Sequence, residues 1–311
     1  MAAALPEARH VRAGESVLEL STMGTDVPRL ISATVVEGDV LGARCVAGEH
    51  EQAFRGFLDG TQRSEVVGHV GAAAIIVGRV AAVVRERRQQ RMQTWRAPLQ
   101  EWRLYAPRAL VSAASWAALD ALAEGSLVDT TDEAAATGAH PFALRDAAIH
   151  QVQAHRERLE HRLAEAWCDS ERDPLYIDGG ISGSDAVAVS ASTVGVVKSH
   201  RTLYAEGRAL DVVLGLAHRE RSSVFRVTSR RRTAVASWYL RLRDATDHDP
   251  LWGLVRVEIA DTLDAAAVGA RADTVSRWIL AEAAPLALPD GRWDKMVYGI
   301  RDCEEFLRAV Y

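Results

Sequence analysis

Two aspartates, Asp59 and Asp178, each close a short apolar stretch and are each followed at once by glycine, in FLDGT at residues 57–61 and LYIDGG at residues 175–180. An apolar run closed by Asp-Gly is typical of a buried strand that leaves its sheet, although the same dipeptide is also common in turns. If both strands belong to one sheet, both carboxylates can lie at one edge. Paired hard oxygen ligands are what Mg²⁺ or Mn²⁺ needs, so the pair predicts a divalent metal site.

A long helix predicted over residues 142–167 supplies a third carboxylate. Its apolar positions recur at helical spacing and define one buried stripe: Ile149, Val152, Leu159 and Leu163. At 100° per residue, Glu160 lies about 65° from the centre of this stripe and Glu165 lies nearly opposite. Only Glu160 therefore borders the buried face, from which it can reach over the sheet edge toward the two aspartates. A surface ion pair with Arg156 is the alternative.

Basic side chains near the two aspartate segments could contact phosphate. The stretch TVGVVKSH at residues 193–200 predicts a strand with a cationic, hydroxyl-bearing tip, and Lys198 at this tip suits a phosphodiester. A lysine that only extends its charge from a strand end into water is the alternative. Residues 85–91 and 226–232 are also rich in arginine; such runs are usually solvated faces, but they could line a groove for nucleic acid.

Composition places the chain among ordinary globular proteins. Its 311 residues are 48% apolar and 25% charged, with a net charge of −5, which argues against disordered and coiled-coil classes. The cysteines show no CxxC spacing that would indicate a zinc or redox site, and they are widely separated: Cys45, Cys168 and Cys303. We expect a reducing, cytoplasmic setting.

Targeting and membrane segments are not expected either. The first fifteen residues show no hydrophobic core of signal length. The longest apolar run, over residues 70–84, contains Gly71, Gly78 and Arg79 and falls short of the roughly 18 uninterrupted apolar residues of a membrane span.

The remaining pattern predicts an α/β class, with a mixed sheet flanked by helices. We expect residues 1–50 to form a small β-rich N-terminal extension with a hairpin over residues 30–46, and residues 51–311 to form the main domain. Further strands are predicted over residues 54–59, 66–84 with a turn near Gly71 or Gly78, 104–111, 234–242 and 251–259. Further helices are predicted over residues 112–123 behind a Ser112 cap, 262–284, and in the C-terminal tail with Asp302 at its start, while residues 129–140 are predicted to be a loop.

The order of these parts resembles the NurA nuclease family over residues 51–311. The most specific pieces are FLDGT at 57–61, YIDGG at 176–180 and VGVVKSH at 194–200. The resemblance implies an RNase H-like core and a Mn²⁺- or Mg²⁺-dependent DNA nuclease that is a homodimer and works with a HerA-like hexameric DNA-translocating ATPase. It also implies that Asp59, Glu160 and Asp178 are the metal ligands and that Lys198 is the family's basic strand end.

One position departs from the family. The family closes its site with a histidine in the C-terminal helix, whereas the matching stretch, residues 298–302, offers Asp302. An aspartate can bind a metal but cannot act as a cationic acid at neutral pH.

Two other function classes remain open. A catalytically inactive nucleic-acid-binding or ATPase-docking subunit of a defence complex would tolerate the change at Asp302. An actin-like sugar kinase or ATPase also uses Asp-Gly-Thr turns around phosphates, but it needs a further glycine-rich adenosine loop that the sequence does not show.

Overall fold

The structure is a computed structural model that describes residues 9–10, 27–131, 140–229, 232–261, 264–283 and 291–311. Predictions for residues 1–8, 11–26 and 132–139, which include parts of the N-terminal extension and of the loop at 129–140, lie outside the described residues. The described chain forms two compact units. One comprises Gly60–Ala82 and Pro98–Leu159, and the other comprises Asp26–Asp59, Val83–Ala97 and Glu160–Tyr311.

The elements follow one another along the chain as a series of strands interrupted by helices. The strands are β1 (Arg9–His10), β2 (Arg29–Leu30), β3 (Thr34–Val35), β4 (Ala43–Cys45), β5 (Gly56–Val70), β6 (Ala73–Arg88), β7 (Arg91–Thr94), β8 (Leu99–Ala106), β9 (Leu127–Asp129), β10 (Leu175–Asp178), β11 (Thr193–Val197), β12 (Thr202–Leu203), β13 (Glu220–Ser222), β14 (Phe225–Ser229), β15 (Arg232–Arg241) and β16 (Leu254–Ala260). The helices are α1 (Ala113–Leu122), α2 (Pro141–Ser170), α3 (Asp185–Ala188), α4 (Arg208–Leu214), α5 (Ala265–Glu282) and α6 (Tyr298–Val310).

The first unit contains an antiparallel pairing of β6 with β8 and a parallel pairing of β8 with β9. The turn between β5 and β6 lies at Gly71, whose φ of +57° suits glycine. Helix α1 begins behind Ser112, whose hydroxyl accepts a hydrogen bond from the Ser115 N–H, as the sequence predicts. Gly78 lies inside β6, where an added Cβ would approach Val152 of α2 within 2.5 Å, so only glycine lets helix and strand pack this closely.

The second unit is built on a mixed sheet. Its strand order is β3-β14-β15-β16-β11-β10-β5. The first residues of β5 pair in parallel with β10, and β10 pairs in parallel with β11. The neighbours on the other side, from β11 to β16, β15 and β14, are antiparallel.

Helices cover both faces of this mixed sheet, which confirms the predicted α/β class. Side chains two residues apart on a strand share a face. On one face, Trp167 of α2 lies against Gly56 and would meet a Cβ there at 2.8 Å. On the other, the Nε1–H of Trp238 donates to Ser276 of α5 at 3.0 Å, and Gly299 of α6 lies against the ring of Phe57.

Three local predictions are wrong. The stretches of the predicted hairpin pair elsewhere, β3 with β14 and β4 with β13. An isolated two-stranded hairpin is only marginally stable, and these stretches instead join a larger sheet. Strand β5 does not end at Asp59 but continues in extended conformation through Gly60 to Val70. Helix α6 begins at Tyr298, behind an extended Val297, so Asp302 lies in its second turn and does not cap it.

No helix in the described part of the chain combines the length and the apolar character needed to cross a membrane.

Candidate active site

The two aspartates lie on neighbouring parallel strands of the second unit. Strands β5 and β10 pair in register up to Leu58 opposite Ile177, so Asp59 and Asp178 take the next position on each strand. Adjacent strands are about 4.8 Å apart, and residues opposite each other share a face. Asp59 is buried, whereas Asp178 ends β10 and is half-buried. Both carboxylates are therefore placed side by side where the pairing of the two strands ends.

Lys198 makes a direct ion pair with one of them. It follows β11, the next parallel strand of the sheet, and its Nζ lies 2.7 Å from Oδ2 of Asp178. The Sδ atom of the buried Met296 lies 3.7 Å from the same Nζ. The order of the strands thus places Lys198, the predicted basic residue at a strand end, in contact with Asp178, a predicted metal ligand.

A buried glutamate that the sequence reading missed holds the loop after Asp178. Glu258 of β16 accepts a hydrogen bond from the Ile181 N–H at 2.9 Å and another from Nη1 of Arg256 at 2.6 Å. A Cβ on Gly180 would lie 2.9 Å from its Oε2 atom. The signal in the sequence is the pair Arg256 and Glu258, two charges at alternate positions of an otherwise apolar strand.

Gly195 lets the same loop fold back over the sheet. The N–H of Gly179 donates to the carbonyl of Val196 at 3.0 Å. A Cβ on Gly195 would lie 2.8 Å from the carbonyl oxygen of Gly179, a backbone atom that cannot move aside cheaply. The glycines after Asp178 and in the VGVVKSH motif therefore fix where the β10 strand end turns.

Two buried groups near the aspartates, Tyr176 and Cys303, are strongly desolvated. Tyr176 is fully buried, and its hydroxyl has no hydrogen-bond partner in the part of the chain that the structure describes. Burial raises the pKa of Tyr176 well above its usual value, and the negative charges of Asp178, Glu282 and Asp59 raise it further. Burial likewise raises the pKa of the Cys303 thiol, with Asp59 as the largest charge contribution. Both groups therefore lie close enough to the aspartates for the carboxylate charges to disfavour their ionised forms.

Glu160 is buried, as the helical phase predicts, but its helix covers the other face of the sheet. Trp167 of the same helix packs on Gly56, whereas Asp59 and Asp178 share their face with Phe57 and Tyr176. The following turn of α2 contacts the loop after β10, because His161 lies against Gly183 and Glu165 accepts a hydrogen bond from Ser184 at 2.5 Å. Glu160 thus lies at the same end of the sheet as Asp178, and Glu165 is half-buried, not solvated as predicted.

Asp302 is engaged by an arginine. Its Oδ1 accepts from Nε of Arg85 at 2.5 Å. The guanidinium of Arg85 also donates to Thr94 at 2.6 Å and lies 4.7 Å from the ring centroid of Phe306. This arrangement joins α6 to the end of β6.

The two arginine-rich stretches are largely paired within the protein. In the first, Arg87 makes two 2.7 Å hydrogen bonds to the buried Glu282, and Arg88 pairs with Glu86. In the second, Arg226 pairs with Asp261, while residues 230–231 lie outside the described residues. These contacts favour a structural role for the paired arginines over a free groove.

The residues present fit a hard divalent cation in part. Within the described ranges, no group of three or more His, Cys, Asp or Glu side chains is already arranged to hold a metal ion. Mg²⁺, however, is usually bound through one or two carboxylates, several waters and the phosphates of a substrate. Asp59 and Asp178 offer such a pair of oxygen donors, and the displacement of Lys198 would free the second oxygen donor.

Comparison of the sequence with models of known protein families gives no match, and comparison with curated proteins gives none. The resemblance to the NurA family therefore rests on the three quoted motifs, and the site has to be judged on its own geometry.

Proposed function

We propose that the protein is a metal-dependent nuclease that hydrolyses DNA and that its mixed sheet is RNase H-like, as in the NurA family. The observation that carries this proposal is the row of side chains at one sheet edge. Asp59, Asp178 and Lys198 come from three consecutive parallel strands, and the lysine ammonium lies 2.7 Å from the second carboxylate. Two carboxylates that can hold a divalent cation, with an ammonium group beside them, suit the negative charge of a phosphodiester.

In this function, Asp59 and Asp178 would hold Mn²⁺ or Mg²⁺, with Glu160 as a third ligand around the strand end. When bound, the cation supplies an activated water and neutralises charge on the departing oxygen. Lys198 keeps Asp178 paired before substrate binds. Its ammonium then turns to a phosphate oxygen, which adds positive charge where negative charge develops.

Asp302 takes a positioning role in this proposal. Its ion pair with Arg85 fixes α6, and α6 in turn covers Phe57 and the segment that leads to Asp59. A direct catalytic role would require Asp302 to leave Arg85. Asp302→Asn should therefore lower the midpoint of thermal unfolding but leave the rate at which bound substrate is cleaved nearly unchanged.

We also propose that a HerA-like hexameric ATPase delivers the DNA to a homodimer of this chain. Non-specific affinity for DNA comes mainly from Lys and Arg that neutralise phosphates. A net charge of −5, with Arg87, Arg88 and Arg226 each paired to a carboxylate, leaves little long-range attraction. Co-expression with such an ATPase, followed by size-exclusion chromatography, should give one complex whose activity on long duplex DNA exceeds that of the nuclease alone.

A second candidate is an inactive docking subunit, which is favoured by the pairing of both Asp178 and Asp302 with basic side chains. One assay separates the two functions. Purified protein with Mn²⁺ should degrade single-stranded or linear duplex DNA, and the degradation should stop on addition of EDTA. A protein that joins the ATPase complex but leaves both DNA forms intact would be a docking subunit.

A further inference from the structure

Two cations lie farther along the edge of the sheet that carries Asp178. Beyond β11, the edge continues through the start of β16 to the end of β15, because β16 is antiparallel to both neighbours. Arg243 lies two residues after the end of β15, and Lys295 lies in the segment before α6. Its neighbour Met296 contacts Lys198 at 3.7 Å, so this segment runs from the candidate active site toward Arg243.

Arg243 is a half-buried cation, and two of its three guanidinium nitrogens have no partner in the described part of the chain. Its Nε and Nη2 atoms are buried and have no hydrogen-bond partner among the described residues. Gly253, with φ at +62°, presses against Arg243, and a Cβ there would lie 2.6 Å from its Cβ. Burial lowers the pKa of the Arg243 guanidinium, although the charge of Asp294 opposes this.

A neighbouring arginine shows what a structural role looks like in this chain. Arg241, two residues earlier, is fully buried and donates to four backbone carbonyl oxygens, those of Leu214, Leu216, Pro250 and Trp252. Its charge serves to join loops. Arg243 has no comparable set of acceptors for Nε and Nη2, so packing of the chain does not explain its position.

Lys295 adds a second cation with a weak partner. Its Nζ lies 4.0 Å from Oδ2 of Asp294, and that same oxygen accepts a 3.0 Å hydrogen bond from the Gly253 N–H. Burial lowers the pKa of Lys295. The charges of Asp294 and Asp249 oppose this effect, and the charge of Arg241 adds to it. Asp294 is thus the carboxylate that both half-buried cations share, and Asp249 is a further negative charge near Lys295.

Desolvated cations that lack hydrogen-bond acceptors destabilise the fold unless an anion supplies those acceptors and the opposite charge. A tetrahedral phosphate offers several acceptor oxygens, and a guanidinium binds it with parallel N–H donors. We propose that Arg243 and Lys295 bind a backbone phosphate of the DNA strand that flanks the phosphate to be cleaved. Three strand spacings separate β10 from β15, which puts this site about 14 Å from Asp178 along the edge. The inference rests on the proposed nuclease function for the identity of its ligand.

The test is DNA binding without cleavage. A fluorescein-labelled single-stranded oligonucleotide is titrated in EDTA at several salt concentrations, and fluorescence anisotropy gives the affinity. Arg243→Gln and Lys295→Gln should each weaken binding and each reduce the salt slope, and the double variant should reduce it by about 0.7, the value for the one phosphate that the two cations share. Arg308→Gln, which removes the same charge from an exposed position on α6, is the matched control and should leave the slope unchanged.

Thermal unfolding distinguishes a binding role from a structural one. Arg243→Gln should leave the midpoint of the free protein unchanged or raise it, since it removes a half-buried charge that is incompletely paired, whereas Arg241→Gln should lower it. A salt slope unaffected by both Arg243→Gln and Lys295→Gln, or a midpoint that Arg243→Gln lowers as much as Arg241→Gln, would overturn the site.

The two proposals fail in different ways. Binding that depends on Arg243 in EDTA, without any cleavage in Mn²⁺, would support the phosphate site and contradict the nuclease. Cleavage in Mn²⁺ with a salt slope that neither substitution changes would support the nuclease and contradict the phosphate site.

Discussion

Glu258 should be the residue whose loss most disturbs the loop after Asp178. It is 2% exposed, and its carboxylate accepts from the Ile181 N–H and from Arg256. Glu258→Ala leaves a buried N–H without an acceptor, which costs about 1–3 kcal/mol. It also leaves Arg256 without its carboxylate, which costs about 3–5 kcal/mol when an ion pair is fully buried.

The expected total is smaller than the sum of these two costs. Arg256 keeps a 3.3 Å hydrogen bond to Ser237 and a position 5.1 Å from the ring centroid of Tyr204. We therefore expect Glu258→Ala to lower the free energy of unfolding by about 4 kcal/mol. Glu258→Gln keeps an acceptor for Ile181 and should cost about half as much, and the double change Glu258→Leu with Arg256→Leu should cost less than Glu258→Ala.

Urea unfolding of the three variants, analysed with one common dependence of the unfolding free energy on urea concentration, measures these losses of stability. The ranking of the variants by loss of unfolding free energy tests the reasoning as much as the size of each loss does. A loss below about 1 kcal/mol for Glu258→Ala would refute the reasoning, because it would show that neither buried partner needs the carboxylate. A double change that costs more than the single one would show that packing, not charge, holds this position.

Three further outcomes follow from the geometry. Burial lowers the pKa of His200 from 6.5 to about 4, and the charges of Lys295, Arg256 and Arg241 add to this effect. As the pH falls from about 6.5 to 4, the unfolded chain therefore gains a proton at His200 that the folded chain does not, and the folded state loses stability. Urea titrations should show that wild type loses about 2 kcal/mol more stability between about pH 7 and 5 than His200→Gln does. Gly195→Ala should lower stability by about 1–3 kcal/mol in a thermal melt, because its Cβ meets the Gly179 carbonyl. Glu160→Gln should slow Mn²⁺-dependent cleavage far more than Glu165→Gln, and equal rates would show that Glu160 lies outside the site.

Periodicity and turn chemistry were sufficient to predict the parts of the fold that local sequence determines. Strand β10 ends at Asp178 as predicted, and α2 runs from Pro141 to Ser170, close to the predicted bounds of 142–167. The Ser112 cap and the turn at Gly71 are likewise local features. Pairings between strands that are distant in sequence could not be predicted from local patterns. The pairing of β3 with β14 depends on residues some 190 positions apart, which no short window contains.

The candidate site shows the same division. Asp-Gly after an apolar run identified Asp59 and Asp178, and strand order then placed them side by side. Glu258 was not predicted as a site residue, because a charged residue inside a strand usually indicates a solvent-facing position. Only the fold shows that the loop after β10 covers it. The pairing of Asp302 with Arg85 also joins residues more than 200 positions apart.

Cleavage of DNA by matched variants tests the central claim most directly. Wild type, Asp59→Asn, Asp178→Asn and the exposed control Asp169→Asn are purified identically and incubated with a labelled oligonucleotide and Mn²⁺. We expect cleavage by wild type and the control, and loss of at least about 100-fold in both site variants, since each substitution removes a charged oxygen ligand without changing side-chain shape. Wild-type rates in Asp59→Asn or Asp178→Asn would contradict the metal site, and no cleavage by wild type would contradict the nuclease function itself.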